Sequence, residues 1–156
     1  MSSSWKLFPR ARSIAPDAKE TQRAIQSLNA SDVQLDHAYL VGADLKQIKL
    51  STALLREAAL WRVNLSGADL SGADFRETNL SGVKLWRANL SGAKLSKVDL
   101  SKADLSETDL WQTDLEEARS LEKADLRGVK GLTKEQLEAC KAKGAIFDEV
   151  PKSSST

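Results

Sequence analysis

The hydrophobic positions of this chain recur with a period of five. From Leu35 to Leu115 every fifth residue is Leu, with Phe75 the single exception, over seventeen successive positions. Two places before each of them stands a small or β-branched residue: Val33, Ala38, Ala43 and Ile48 in the first four units, Ala88, Ala93, Val98 and Ala103 further on. The residue between is polar and commonly Asp or Asn, as at Asp44, Asn64, Asp69, Asp74, Asn79, Asn89, Asp99, Asp104, Asp109 and Asp114. A helix turning 100° per residue would scatter these leucines around its whole surface, and a strand would send them to alternate faces. Neither element buries every Leu.

The local pattern small–polar–Leu fits three extended residues whose outer two side chains point the same way. Two residues then remain to turn the chain. They are often Ser-Gly, as in Ser66-Gly67, Ser71-Gly72, Ser81-Gly82 and Ser91-Gly92. Counting from Leu to the next Ala, Gly takes the third place of a β-turn, where a type II turn needs positive φ. A short inward face, a corner and another face describe an all-β solenoid.

This A-[DN]-L-x-x pattern, from about Val33 to Leu132, resembles the pentapeptide repeat family, which is especially abundant in cyanobacteria. The resemblance implies a right-handed quadrilateral β-helix with four pentapeptides per coil. Residues twenty apart would then stack at roughly 4.8 Å, with Leu60, Leu80 and Leu100 in one interior column. Members of that family mostly lack a known activity. The repeat register slips by one residue after Leu115: Ala118 and Leu121 stand three apart, as do Val129 and Leu132, and a bulge at each place would absorb the extra residue.

Raw solenoid ends expose backbone that pairs with other chains, and both ends carry helix signals. The reading is a flexible basic segment over 1–15, a capping helix over 16–30 opened by Pro16, repeats over 31–132, a helical cap over 133–150 and a loose tail over 151–156. In the C-terminal cap Thr133 is the N-cap, Gln136 completes a capping box, and Gly144 stops the helix. Ala145 to Phe147 would lay a last apolar piece on the coil. Cys140 reads as a small packed hydrophobe. Capped ends favour a monomer.

Composition narrows the function. Formal net charge is +1 with 29% charged residues, too balanced for nucleic-acid or membrane binding by bulk charge. Without an apolar stretch near the start the reading is cytoplasmic, and Arg- and Ser-rich composition keeps an organellar transit peptide open. The only His, His37, falls at an exposed corner, so His-based triads and His-rich metal sites are not expected. Lys or Asn interrupts each stacked acidic column, which leaves no oxygen-only metal site. No cofactor is expected, and a convex solenoid offers no cleft.

Two surfaces remain. Trp61, Trp86 and Trp111 all occupy the first corner position, which points outward, and they lie 25 apart, one coil plus one face. Arg62 and Arg87 are next door, and Arg56 and Arg76 stack on one corner nearby. This Arg/Trp surface reads as the dock of a scaffold or adaptor for a protein partner. The N-terminal SWKLFPRAR, with Trp5 and Phe8 among basic residues, is a second candidate anchor. The competing surface is acidic. Asp99, Asp104, Glu107, Asp109, Asp114, Glu116 and Glu117 stand against Lys102 alone, −6 over about one coil, whereas His37 to Lys97 carries nine Lys/Arg against five Asp/Glu. Some pentapeptide repeat proteins protect DNA gyrase by resembling duplex DNA, so the alternative is an inhibitor or protector of a DNA-handling enzyme.

Overall fold

The computed structural model describes residues 32–148. The sequence expectations for 1–15, 16–30 and 151–156, Trp5 and Phe8 among them, lie outside the described residues.

Up to Leu110 each five-residue unit contributes one bridge residue and one two-residue turn. The bridges are parallel and join residues twenty apart: Asp44 to Asn64, Asn64 to Lys84, Lys84 to Asp104, and likewise on the other three faces. The chain therefore turns four times and returns over itself in each circuit. Each face is a single bridge residue between two inward neighbours. The four corners are called A (36–37 and the residues stacked on them), B (41–42), C (46–47) and D (51–52).

The unit is five residues long because each of its polar backbone groups then finds a partner. The Leu N–H donates to the coil that follows, as Leu65 does to the Lys84 carbonyl at 2.7 Å. The second corner residue does the same, Gly67 to the Trp86 carbonyl at 2.8 Å. The face residue donates backward, Lys84 to the Val63 carbonyl at 2.9 Å, and the small inward residue closes its own turn, Ala68 to the Leu65 carbonyl at 3.0 Å. Only the first corner N–H is left over. The Asp or Asn two residues before it accepts that bond at ten corners, at 2.9–3.4 Å, including Asn64 from Ser66 and Asp104 from Ser106. The recurring Asp/Asn is thus a local backbone cap.

The second corner residue has positive φ in every unit up to Gln112, and again at Lys123 and Gly128. Thirteen such residues are not glycine, with φ from 55° to 65°, among them Thr52, Arg62, Arg87 and Gln112. The coil imposes the turn wherever the sequence omits Gly, because both neighbouring faces are already anchored.

The interior is filled by the leucines and the small residues. Leu60, Leu65, Leu80, Leu85, Leu90 and Phe75 are all essentially inaccessible. Inward threonines stay buried by bonding carbonyls: Thr78 Oγ1 donates to Leu55 at 2.7 Å and Thr108 Oγ1 to Leu85 at 3.1 Å.

The stacking interval lengthens from 20 to 21 where Asp99 pairs with Ser120, after a 3₁₀ turn at Leu115–Glu117. The N–H groups of Arg119 and Ser120 both point at the Val98 carbonyl, at 2.7 and 3.4 Å, which is a bulge. Helix α1 (Lys134–Ala142) follows the last full face. Thr133 and Gln136 form the reciprocal capping box. Gly144 (φ 88°) donates to the Lys141 carbonyl and Ala145 to that of Cys140, a Schellman stop. The chain then returns to the coil, and Ile146 pairs with Asp125. Gln136 Nε2 donates to the Thr113 carbonyl and to Glu116, and Lys143 Nζ reaches the Ala118 carbonyl at 2.6 Å. These side chains satisfy groups on the last turn that no further coil would meet. Cys140 is buried beneath the helix, and burial, then Glu116, pushes its thiol up to about 11.

Candidate protein-interaction surface

The three tryptophans occupy successive corners: Trp61 on B, Trp86 on C and Trp111 on D, each one coil further along. They do not share a face. Trp86 and Trp111 are 41% and 59% exposed. Trp61 departs from the outward-pointing expectation: it is half-buried. Tyr39 stands edge-on to its ring, with centroids 5.6 Å apart and planes at 89°. Sequence reasoning missed Tyr39, which is 50% exposed. Its signal was present, an aromatic at the face position where the repeat places Asp or Asn.

The arginines need a further correction, because three of the four named with the tryptophans hold acidic partners. Arg87 lies over the Trp86 ring, 4.4 Å from its centroid, while its Nε donates to Glu107 at 2.6 Å. Arg87 in turn holds the Glu107 carboxyl below the usual carboxylate range. Arg56 is bidentate on Asp36, through Nη2 at 2.6 Å and Nε at 3.3 Å. Arg76 grips Asp74 the same way, at 2.6 and 2.9 Å. The stacked arginines of corner A therefore belong to a ladder of pairs, with His37–Glu57 at 3.6 Å and Glu77–Lys97 at 3.7 Å completing it. Arg56, Glu57, Arg76 and Glu77 line a shallow depression of ≈ 200 Å³. Among the described residues Arg62 makes no ion pair.

Asp74 corrects the reading of its column as a solvated face. It is 4% exposed. Arg76 makes that tolerable, since its side-chain bonds hold the Asp74 carboxyl below its ordinary range against the cost of burial.

The acidic run also looks different in three dimensions. Asp99, Asp104, Asp109 and Asp114 sit on four different faces. Asp99, Asp104 and Asp109 cap the corners at Ser101, Ser106 and Trp111, and Asp114 accepts from the Leu95 N–H. Glu107 is paired with Arg87, and Glu116 lies against Gln136 of α1. Glu117 is exposed. The charges form a belt around the coil rather than one negative face.

No group of three or more His, Cys, Asp or Glu residues among the described residues is placed to hold a metal ion. No helix among them is long and apolar enough to cross a membrane.

Comparison with known proteins adds the lineage. The model of pentapeptide repeats matches in eight copies, over 31–72, 49–87, 85–119 and 93–130. Among solved structures, a pentapeptide repeat protein from the Arabidopsis thaliana thylakoid lumen is 27% identical, the match covering 74% of this chain and 79% of that one with a TM-score of 0.36. HetL from the cyanobacterium Nostoc sp. strain PCC 7120, involved in heterocyst differentiation regulation, is 32% identical over 74% of this chain and 54% of its own, with a TM-score of 0.28. QnrB1, a plasmid-mediated fluoroquinolone resistance protein, is 20% identical over 70% and 64%, with a TM-score of 0.30. Among curated proteins none matches. The matched repeats run through most of the described chain, and the chain belongs to the pentapeptide repeat family.

Proposed function

We propose that this protein is a non-catalytic scaffold or adaptor that docks a protein partner on its tryptophan-bearing corners. The observation that carries the reading is the exposure of Trp86 and Trp111 at 41% and 59%. The repeat asks only for a small polar residue at the first corner place, and Ser fills it at 51, 66, 71, 81, 91, 96, 101 and 106. Large exposed aromatics are the common anchors of interfaces. Arg87 stiffens the Trp86 ring from above, so less side-chain entropy remains to be lost on docking. The fold we assign is a right-handed quadrilateral β-helix, with repeats over 31–132, a cap over 133–150 and a second helical cap over 16–30, acting as a monomer in the cytoplasm.

The test is a pull-down from lysate of the native organism, comparing the parent with Trp86→Ser plus Trp111→Ser. Both changes install the residue the repeat normally uses, so the coil should remain intact. A partner retained equally by both proteins would refute the reading. The second reading, a protector of a DNA-handling enzyme, rests on the −6 stretch Asp99–Glu117. Its arrangement as a belt, with most carboxylates occupied, favours the scaffold. A gyrase supercoiling assay with the protein in excess separates the two: relief of inhibition that charge reversal at Asp104 and Glu117 abolishes would favour the protector.

A further inference from the structure

We propose that corner B and the face leading to it bind an extended acidic segment of a partner protein, anchored by one apolar side chain. This rests on the reading of the chain as a protein-binding scaffold and concerns the Trp61 corner, apart from the corners of Trp86 and Trp111.

Three features that lie far apart in sequence meet here. The first is apolar. Tyr39 and Ala59 pair on one face, where most other units place Asp, Asn or Lys, and the corner beside them holds Val41 and Trp61. The second follows from the first. Neither Tyr39 nor Ala59 can cap a corner, so the backbone N–H groups of Val41 and Trp61 donate to no acceptor among the described residues. Where an Asp or Asn does stand at this place, its oxygen takes that bond at about 3 Å, as Asn79 does for Ser81 one coil on. A ligand carboxylate has the same acceptor geometry. The third is charge. The second places of corner B read Gly42, Arg62, Gly82, Lys102 and Lys123 along the stack. Arg62, Lys102 and Lys123 are exposed and unpaired among the described residues. Asp99, on the same face, keeps its carboxylate on the N–H and hydroxyl of Ser101 beside Lys102, and Glu122 is next to Lys123 in the chain.

The result is a single-file basic ridge that ends on an aromatic wall with two unclaimed donors. Arg62 and Lys102 are two coils apart, about 9.6 Å at the spacing of stacked strands. A polyproline-II segment presents the same face every third residue, about 9.3 Å. A partner with carboxylates three residues apart and an apolar residue toward the Trp61 end fits this ridge. Three cations in one file beside an aromatic wall favour a peptide over a nucleic-acid backbone, which would call for a broader basic surface.

Fluorescence anisotropy tests this with the full chain and a labelled proline-rich peptide of roughly twelve residues bearing Glu at every third position and one terminal Leu. The peptide should bind, its Gln counterpart should not, and a single-stranded oligonucleotide of equal charge should bind more weakly. Arg62→Glu, Lys102→Glu and Ala59→Asp should each weaken binding about tenfold or more. Ala59→Asp is the decisive variant, because it supplies the cap itself and should preserve or raise the melting temperature while removing the donor. Equal binding to all three variants, failure of the Glu peptide to bind, or tighter binding of the oligonucleotide would overturn the proposal. If the peptide fails while Trp86→Ser plus Trp111→Ser still abolishes partner capture, this surface falls and the scaffold reading stands. If the peptide binds as described while that double variant captures normally, the tryptophan corners fall and the ridge stands.

Discussion

Gly131 lies directly against Trp111. A Cβ placed on Gly131 would fall 2.5 Å from the Trp111 nitrogen and 2.7 Å from its Cα, and Gly131 itself has φ of 92°. This is where the chain leaves the last complete face and turns into α1, so an exposed aromatic on corner D and the seating of the C-terminal helix depend on one contact.

Gly131→Ala should therefore loosen the end of the coil by about 1–3 kcal/mol, from strain at positive φ and from backbone contact that no rotamer relieves. Because each coil touches only its neighbours, the damage should stay local. Hydrogen exchange should speed up over 120–148 and remain slow around Leu65 and Leu85. Uniform acceleration along the coil would contradict the nearest-neighbour picture.

The left-handed corner residues give a paired test within one column. Gly92 has φ of 69°, and nothing lies nearer to its would-be Cβ than Gly72 at 3.9 Å, so Gly92→Ala isolates the backbone cost. It should destabilise by about 1 kcal/mol. One coil on, Gln112 holds φ of 58° without the freedom of glycine. Gln112→Gly should be neutral to stabilising by up to about 1 kcal/mol, the relief of strain exceeding the added entropy of the unfolded chain. Urea midpoints at constant slope give both signs.

Asp74 and Arg76 link stability to pH. The folded-state carboxyl of Asp74 lies below its ordinary range, first because Arg76 hydrogen-bonds it. The unfolded chain therefore takes up its proton before the folded one does. The stabilisation is present above the unfolded value of about 3.9 and is lost as pH falls through the lower folded value. Asp125, held down by Arg127, acts in the same direction. Asp74→Asn keeps an oxygen for the Arg76 N–H but loses the charge. It should cost about 1–3 kcal/mol at neutral pH and flatten the acid limb of the stability profile. An unchanged acid limb would show that Asp74 titrates normally.

Cys140 is fully buried under α1 and its thiol is pushed up to about 11. Thiolate is therefore scarce near neutral pH and inaccessible as well. Labelling by a disulfide reagent at pH about 8 should run far slower than for a free thiol, and should accelerate in Gly131→Ala if the helix opens. Rapid labelling of the parent protein would mean that α1 leaves the coil readily.

How much could be read in advance follows from what each position answers to. The five-residue period is local: Leu35 to Leu115 must all face inward, and two residues must turn the chain between them, so the faces, the corners and the caps at Thr133, Gln136 and Gly144 are written in the chain. The Asp and Asn positions were legible as repeat residues, although their capping of the corner N–H shows only when the hydrogen bonds are followed. Side-chain pairing was not legible. Arg56 finds Asp36 across one coil and Arg87 finds Glu107 across another, and such partners depend on stacking and rotamers that spacing alone does not specify. The same holds for Trp61, placed outward by its register yet half-buried against Tyr39, and for Asp74, drawn under Arg76.

The sequence by itself determined which residues are inside, because a strict period leaves one way to bury every leucine. Tertiary structure decided which surface groups remain available. Stacking brings residues twenty apart within hydrogen-bonding reach, so charges distant in sequence neutralise one another at corner A, acids adjacent in sequence disperse over four faces, and Arg62 and Lys102 come to share corner B.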